Sequence, residues 1–459
     1  MKKKTIFICN SCSYESIGYM GKCPECNSWN SLVETILPDK KSLRTPSGNT
    51  IVKKPIKRLS EVESTNSDRI VTNIGEFNRV MGGGIVKDSV TILSAKPGAG
   101  KSTLLLQVAN DLATTGYKVL YASGEESESQ IKSRADRIIK KIHSNVWVVS
   151  DNSMDNIIRN IEEIDPDMII IDSIQTFVLD AFPNSRAGSP TQTMECAYEL
   201  VQQAKNSTKP RAVFMVGQMT KEDELAGLTA LEHLVDAVLI IEVESGEELR
   251  TLLTTKNRYG STGEMGFFNM TEDGMESIDN PSEYFMTHRE KGVVVSGSSI
   301  TVVREGTRPI ILEVESLVSD SFTPYPSRIG ECMGREHLNT LISILEQRGG
   351  VKLYDKNVVI KTTGGIKLKE QSSNLAIIMS IASSVFQSPL PNDVVFISDV
   401  GLTGELKKVP SLEARIREVD RMGFAKAYIA PIKGKRIKTE NLQLMEVERL
   451  KDVIGDLIK

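Results

Sequence analysis

The chain has 459 residues, 40% hydrophobic and 25% charged, and its 56 Lys and Arg against 60 Asp and Glu leave a formal net charge of −4. This is the composition of a globular chain with room for about three domains of about 150 residues, and it excludes a globally basic coat, so any contact to nucleic acid would have to come from local patches. No apolar run nears membrane-spanning length, and Ile6-Phe7-Ile8 after Met1-Lys2-Lys3-Lys4 is too short for a signal-peptide core, so a cytoplasmic protein without a membrane partner is expected.

From the N-terminus, the first chemical feature is Cys9-x₂-Cys12 with Cys23-x₂-Cys26. Two thiolate pairs at knuckle spacing suit tetrahedral Zn²⁺ better than disulfides in a reducing compartment. All four are read as zinc ligands of a finger over residues 1–30, which is too short for a core of its own, so the metal should supply its folding energy. Cys196 and Cys332 stand alone and read as structural. Residues 31–62, dominated by Pro, Ser, Gly and Lys without a sustained period, read as a linker with room for a short strand at its end.

Over residues 63–280, helical patterns separate most of the earlier apolar runs at Val90–Leu93, Val119–Ala122, Val146–Val149, Met168–Ile171, Ala212–Val216, Ala237–Ile241 and Leu249–Thr254. That pattern predicts an α/β domain with a largely parallel sheet covered on both faces. The first run enters Ala95-Lys96-Pro97-Gly98-Ala99-Gly100-Lys101-Ser102-Thr103, a phosphate loop of the form G-x-x-x-x-G-K-[ST] with Ala95 at the first glycine position. Gly98 and Gly100 let backbone N–H groups converge on phosphates at a helix N-terminus. Lys101 would reach the β- and γ-phosphates of ATP, and Ser102 would hold Mg²⁺. Asp172, closing the strand in "MIIIDSIQT", can hold the Mg²⁺ shell from the same sheet edge. Glu125 in "LYASGEES" is read as the residue that polarises the attacking water, in preference to its neighbour Glu126.

Residues 281–459 mix expected strands at Val293–Val303, Ile310–Val314, Val394–Ile397 and Ala427–Ala430 with amphipathic helices at Asn374–Phe386 and Leu412–Met422, an α+β pattern. Lys361, Lys367, Lys369, Lys407 and Lys408 are candidate contacts to a phosphate backbone.

Together, "MGGGIVKDSVTILSAKPGAGKSTLLLQ", "YASGEES", "IIIDSIQT", "TTKNRYGST" and the cysteine segment "GKCPECNSWNSLVE" resemble the bacterial RadA (Sms) family of RecA-like recombination ATPases. The likeness runs from Phe7 to about Pro431, and "KNRYG" is its most specific element. It implies a RecA-like P-loop ATPase core, an N-terminal zinc ribbon or knuckle and a C-terminal Lon-protease-like (S5-like) domain. It also implies a hexameric ring that binds single-stranded and branched DNA, works beside a RecA-type recombinase, and drives branch migration with ATP in recombinational repair. Lys256 and Arg258 then become a finger entering a neighbour's ATP site. Loops after the Asp172 and Val216 strands would line the ring, with Arg186 and Lys221 as phosphate contacts. Gln218 stands where family members commonly have His, and Asp223-Glu224 where they have a simpler Gly-containing loop. Ser372 falls near the protease nucleophile position, but Glu413 stands where the base lysine belongs. The domain is therefore expected to lack proteolysis, with Ser372 a helix N-cap.

Two other readings share the phosphate site. One is a RecA-like ATPase that remodels a protein partner, which stimulation of hydrolysis by single-stranded DNA would separate. The other is a zinc-finger DNA-binding regulator that only senses ATP, marked by turnover near zero with full DNA affinity.

Overall fold

The computed structural model describes residues 5–9, 15–16, 20–24, 29, 32–36, 58, 69–206, 208–218, 228–243, 248–287, 289, 293–432, 434 and 436–458. The chain divides into a unit Met1–Thr65 and a unit Asn66–Lys459.

In the first unit, Thr5–Cys9 is the middle of three strands, antiparallel to Glu15–Ser16 on one side and to Leu32–Ile36 on the other. Cys9 sits opposite Leu32 and is buried, as is Cys23. Leu32–Ile36 falls in the stretch expected to be linker, at its start and not its end, so the finger's sheet extends past residue 30. A two-stranded hairpin is marginal by itself, and the third strand completes the pairing of the central one.

The second unit holds two large sheets and two small two-stranded ones. The larger has nine strands in the order Gly274–Ser277, Met265–Thr271, Leu249–Asn257, Ala237–Val243, Val90–Ala95, Ala212–Gln218, Met168–Asp172, Val119–Ser123 and Val146–Ser150. The six from Ala237–Val243 to Val146–Ser150 are parallel, and the other three form an antiparallel meander at one edge. All seven apolar runs expected over this region are strands. Val90–Ala95 is buried at every residue because helices cover both faces. Leu93 and Ala95 pack with Leu104, Leu105 and Val108 of helix Lys101–Thr114, while Val90 and Ile92 pack with Ala197 and Leu200 of helix Pro190–Ala204. Burial on both sides removes the need for polar alternation. The pair Met265–Thr271 and Gly274–Ser277 was not expected, since Gly266 and Asn269 break both alternation and apolar continuity.

The other large sheet has seven strands in the order Arg328–Gly330, Lys356–Thr362, Arg308–Asp320, Ser298–Glu305, Val394–Ile397, Lys426–Ile429 and Gln443–Glu446. Helix Asn374–Phe386 packs into one core beside it and helix Leu412–Arg421 into another. The strand expected from Val293 begins only at Ser298. Gly297 has φ of 85°, and a Cβ there would lie 2.4 Å from the Ser316 carbonyl oxygen, so the chain turns into the sheet at this glycine.

The stretches 63–280 and 281–459, expected as separate domains, share a core. Phe267 of the larger sheet meets Phe285 edge-on at 5.5 Å within the cluster that holds the C-terminal helices. Buried Glu76, on helix Gly75–Val80, accepts from Arg308 Nη1 at 2.7 Å and from the Phe267 backbone N–H at 2.9 Å. Among the described residues no helix is long and apolar enough to cross a membrane.

Candidate active site

The phosphate loop leaves the strand Val90–Ala95 and enters helix Lys101–Thr114 through Gly100, which has φ of 103°. A Cβ on Gly100 would also meet Met270 Cε at 2.5 Å and Met275 Sδ at 2.9 Å, ends of flexible side chains that can give way, so it is the backbone conformation that calls for glycine. Ala95 is still strand, paired with Gln218 and Ile241, which is why alanine serves at the first glycine position. Lys101 Nζ donates to the carbonyls of Ala95 at 3.0 Å and Lys96 at 3.4 Å. Burial lowers the Lys101 pKa, opposed by the charges of Asp172 and Glu125.

Ser102 Oγ donates to Asp172 Oδ2 at 2.6 Å, and Tyr121 Oη donates to the same oxygen at 2.5 Å. Hydroxyl and carboxylate oxygens side by side at the loop's exit are the hard donors Mg²⁺ takes, so these residues fit the ion. Burial first, and then the Asp172 charge, hold the Tyr121 phenol well above its ordinary pKa, keeping it a donor. Sequence reasoning missed Tyr121; a lone tyrosine in an aliphatic strand was the available signal.

The two adjacent carboxylates part company. Glu126 forms a two-pronged ion pair with Arg134, one contact being 2.8 Å. Glu125 accepts from Ser173 Oγ at 2.6 Å and from Gln218 Nε2 at 3.0 Å, so it meets the ends of two neighbouring strands. Ser123 Oγ accepts from the backbone N–H of both, fixing the turn that separates them.

Lys256 and Arg258 lie at the other end of the sheet. Lys256 pairs with Val238, and Val238 pairs with Ile92 near the start of the phosphate-loop strand. Arg258 Nη1 donates to Asp236 Oδ1 at 3.2 Å, and Asp236 Oδ2 accepts from the Val90 backbone N–H at 3.0 Å. Lys256 Nζ donates to the Glu232 carbonyl, and its pKa is lowered by burial and then by Arg258. Arg69 bonds the carbonyls of Tyr259, Met81 and Gly84, clamping the "MGGG" turn to the "RYG" turn. The phosphate loop and this turn therefore sit at opposite ends of one six-residue strand, about 16 Å apart at about 3.3 Å per residue.

Arg186 is exposed, on a loop that buried Gln192 organises through bonds to Leu179, Phe182 and Ser185. Lys221 and Asp223-Glu224 lie outside the described residues, as do Cys12 and Cys26. Cys9 and Cys23 are buried, and their sulfurs are the soft donors zinc accepts. Cys196 and Cys332 are buried too, with thiols pushed up to about 12 and about 11, chiefly by burial. Lys367 and Lys369 line a cavity of about 390 Å³ together with Lys96, Glu242 and Glu305.

The protease-like position needs correction. Glu413 is exposed and pairs with Arg417. The residue beside Ser372 is Arg415, fully buried, with Nη1 3.2 Å from Ser372 Oγ and Nη2 2.6 Å from Glu370 Oε2. A guanidinium stays charged and cannot take a proton, so it cannot serve as the base. Nor is Ser372 the helix cap: Ser373 precedes helix Asn374–Phe386, without a side-chain capping bond.

Residues 56–224 match the family model described as "AAA domain", and residues 7–34 match "Rubredoxin metal binding domain". The chain is 42% identical over 432 residues to DNA repair protein RadA of Bacillus subtilis (strain 168), covering 93% of each chain. It is 40% identical over 428 residues to DNA repair protein RadA of Listeria monocytogenes, covering 93% of this chain and 92% of the relative. DNA repair protein RadA of Halalkalibacterium halodurans is 41% identical over 431 residues, covering 93% of each. The phosphate loop, Asp172 and both cysteine pairs fall inside the matched residues, and the chain belongs to the RadA family.

Proposed function

We propose that this chain, an ATP-hydrolysing enzyme of DNA repair, acts as a ring on single-stranded and branched DNA. The ring is a hexamer, as in the family it belongs to. It drives branch migration of recombination intermediates in the cytoplasm, beside a RecA-type recombinase. Ala95 to Thr103 cradle the phosphates, and Lys101 swings from the Ala95 carbonyl to the β- and γ-phosphates. Held by Ser102 and Asp172, Mg²⁺ would supply charge neutralisation on those phosphates. Glu125, oriented by Ser173 and Gln218, polarises the attacking water. Cys9, Cys12, Cys23 and Cys26 hold Zn²⁺, while Arg186 and Lys221 contact the DNA backbone.

One observation carries the ring. Arg258 is anchored at the far end of the strand from its own phosphate loop, with its side chain 53% exposed. An exposed guanidinium that cannot serve its own site is suited to a neighbour's, where it and Lys256 stabilise charge on the transferred phosphate. Subunits carrying Lys101→Ala, mixed with subunits carrying Arg258→Ala, test this. Some mixed interfaces pair an intact loop with an intact finger, so partial hydrolysis should return. A mixture as inactive as its two parents removes the trans assignment.

A further inference from the structure

We propose that Asp236 and Lys205 are positioning residues for the Arg258 finger, tying it to the phosphate-loop strand of their own subunit. The inference rests on the trans reading of Arg258. Asp236 lies between helix Leu228–Leu234 and strand Ala237–Val243, with its side chain 5% exposed. Its Oδ2 accepts from the Val90 backbone N–H at 3.0 Å and from Lys205 Nζ at 2.9 Å. Its Oδ1 accepts from Arg258 Nη1 at 3.2 Å, and its carbonyl accepts from the Arg258 backbone N–H at 2.9 Å.

A carboxylate this buried needs matched charge. Here Asp236 faces Lys205 and Arg258 together, and Lys205 also lies 3.8 Å from Asp88, so Asp236 anchors the finger on one side. Among the described residues, its second nitrogen makes a long 3.4 Å contact to the His233 carbonyl. The guanidinium is held on one side and open on the other, the arrangement a phosphate contact requires. Lys205 is fixed in turn by Tyr259, through the hydroxyl at 3.2 Å and the ring face at 5.9 Å. Burial alone would lower the Lys205 pKa, but the bonds to Asp236 and Tyr259 and the charges of both together more than offset it, so the lysine stays charged at neutral pH. Val90, on the same carboxylate, opens the strand that ends in the phosphate loop. One side chain thus touches the strand that carries a subunit's own ATP site and the finger that serves the next.

The test is complementation in the full-length protein. Asp236→Asn should bind ATP normally yet lose about 10²-fold in turnover, the scale of a small misplacement of a reacting group. Mixed with Lys101→Ala subunits, which carry a sound finger, Asp236→Asn should regain partial hydrolysis. Mixed with Arg258→Ala subunits it should stay inactive, because neither partner supplies a working finger. Rescue by Arg258→Ala, rescue by neither partner, or wild-type turnover of Asp236→Asn alone would overturn the proposal. Should Asp236→Asn not fold, Lys205→Met decides through the same mixtures, with Lys205→Arg expected to restore turnover. The Lys101→Ala and Arg258→Ala mixture is the control: its failure brings down the trans reading, and this inference with it, whereas its success beside a failed Asp236→Asn mixture refutes the positioning role alone.

Discussion

Glu125 and Glu126 are adjacent in sequence and chemically alike, so replacing each by Gln separates a catalytic role from a structural one. Glu125 accepts from Ser173 at 2.6 Å and Gln218 at 3.0 Å, and in the proposed mechanism its charge polarises the attacking water. A positioned general base contributes about 10² to 10⁴ in rate. At about 1.4 kcal/mol per decade, Glu125→Gln should raise the barrier by roughly 3 to 5 kcal/mol. Glutamine keeps the shape and one acceptor, so ATP binding should survive. Glu126 is engaged by Arg134 in a pair whose side chains are 30% and 25% exposed. Its loss should cost at most about 1 kcal/mol of stability and leave turnover nearly intact. Phosphate release at saturating ATP, with the ATP dissociation constant measured separately, reads both effects. A hundredfold loss in Glu126→Gln beside normal turnover in Glu125→Gln would refute the reasoning.

Purified protein should carry about one Zn²⁺ per chain, and Cys9→Ser or Cys23→Ser should lose it; elemental analysis finding no metal in the wild type contradicts the finger. Burial alone would raise the Glu313 pKa, but bonds from Ser298, Thr287 and Arg289 hold it below 4.5. A carboxylate lowered in the folded state contributes stability above its unfolded value that is lost as pH falls through the folded one. Glu313→Gln should therefore cost about 2 kcal/mol at neutral pH, with the gap to wild type closing below 4.5; denaturant melts across pH check this, and a constant gap contradicts it. Arg415→Met leaves the 30% exposed Glu370 without its cation and the Val302 and Pro410 carbonyls without a donor, and should destabilise the chain by roughly 1 to 3 kcal/mol in the same melts. An unchanged midpoint would show that the pair does not hold this pocket.

The phosphate loop was legible because everything it needs is contiguous: strand, glycines, Lys101-Ser102 and helix. Asp172 became legible once that loop had been found, since both lie at one sheet edge. The bonds from Tyr121 to Asp172 and from Gln218 to Glu125 depend on strand order, which local pattern does not contain. Asp236, Lys205 and Arg258 meet for the same reason, from three separate elements. Glu413 was placed by resemblance, which does not say which side chain of the helix faces Ser372. Residues two apart face different ways on a helix. Leu412, Arg415, Ile416 and Val419 recur at the spacing of one buried face, so the sequence did carry a sign that Arg415, and not Glu413, points inward. The strand Leu32–Ile36 was hidden by the polar stretch that follows it, because its value comes from pairing with Thr5–Cys9.

The central claim is that ATP hydrolysis at this site moves a DNA branch. The most direct measurement follows the junction of a labelled three-stranded DNA over time, with wild-type or Lys101→Ala protein and with ATP or an analogue that resists hydrolysis. Wild-type protein with ATP should extend the heteroduplex, and single-stranded DNA should raise its turnover. The analogue and Lys101→Ala should leave the branch where it began. A wild-type protein that hydrolyses ATP equally with and without DNA, and leaves the branch in place, would contradict the account.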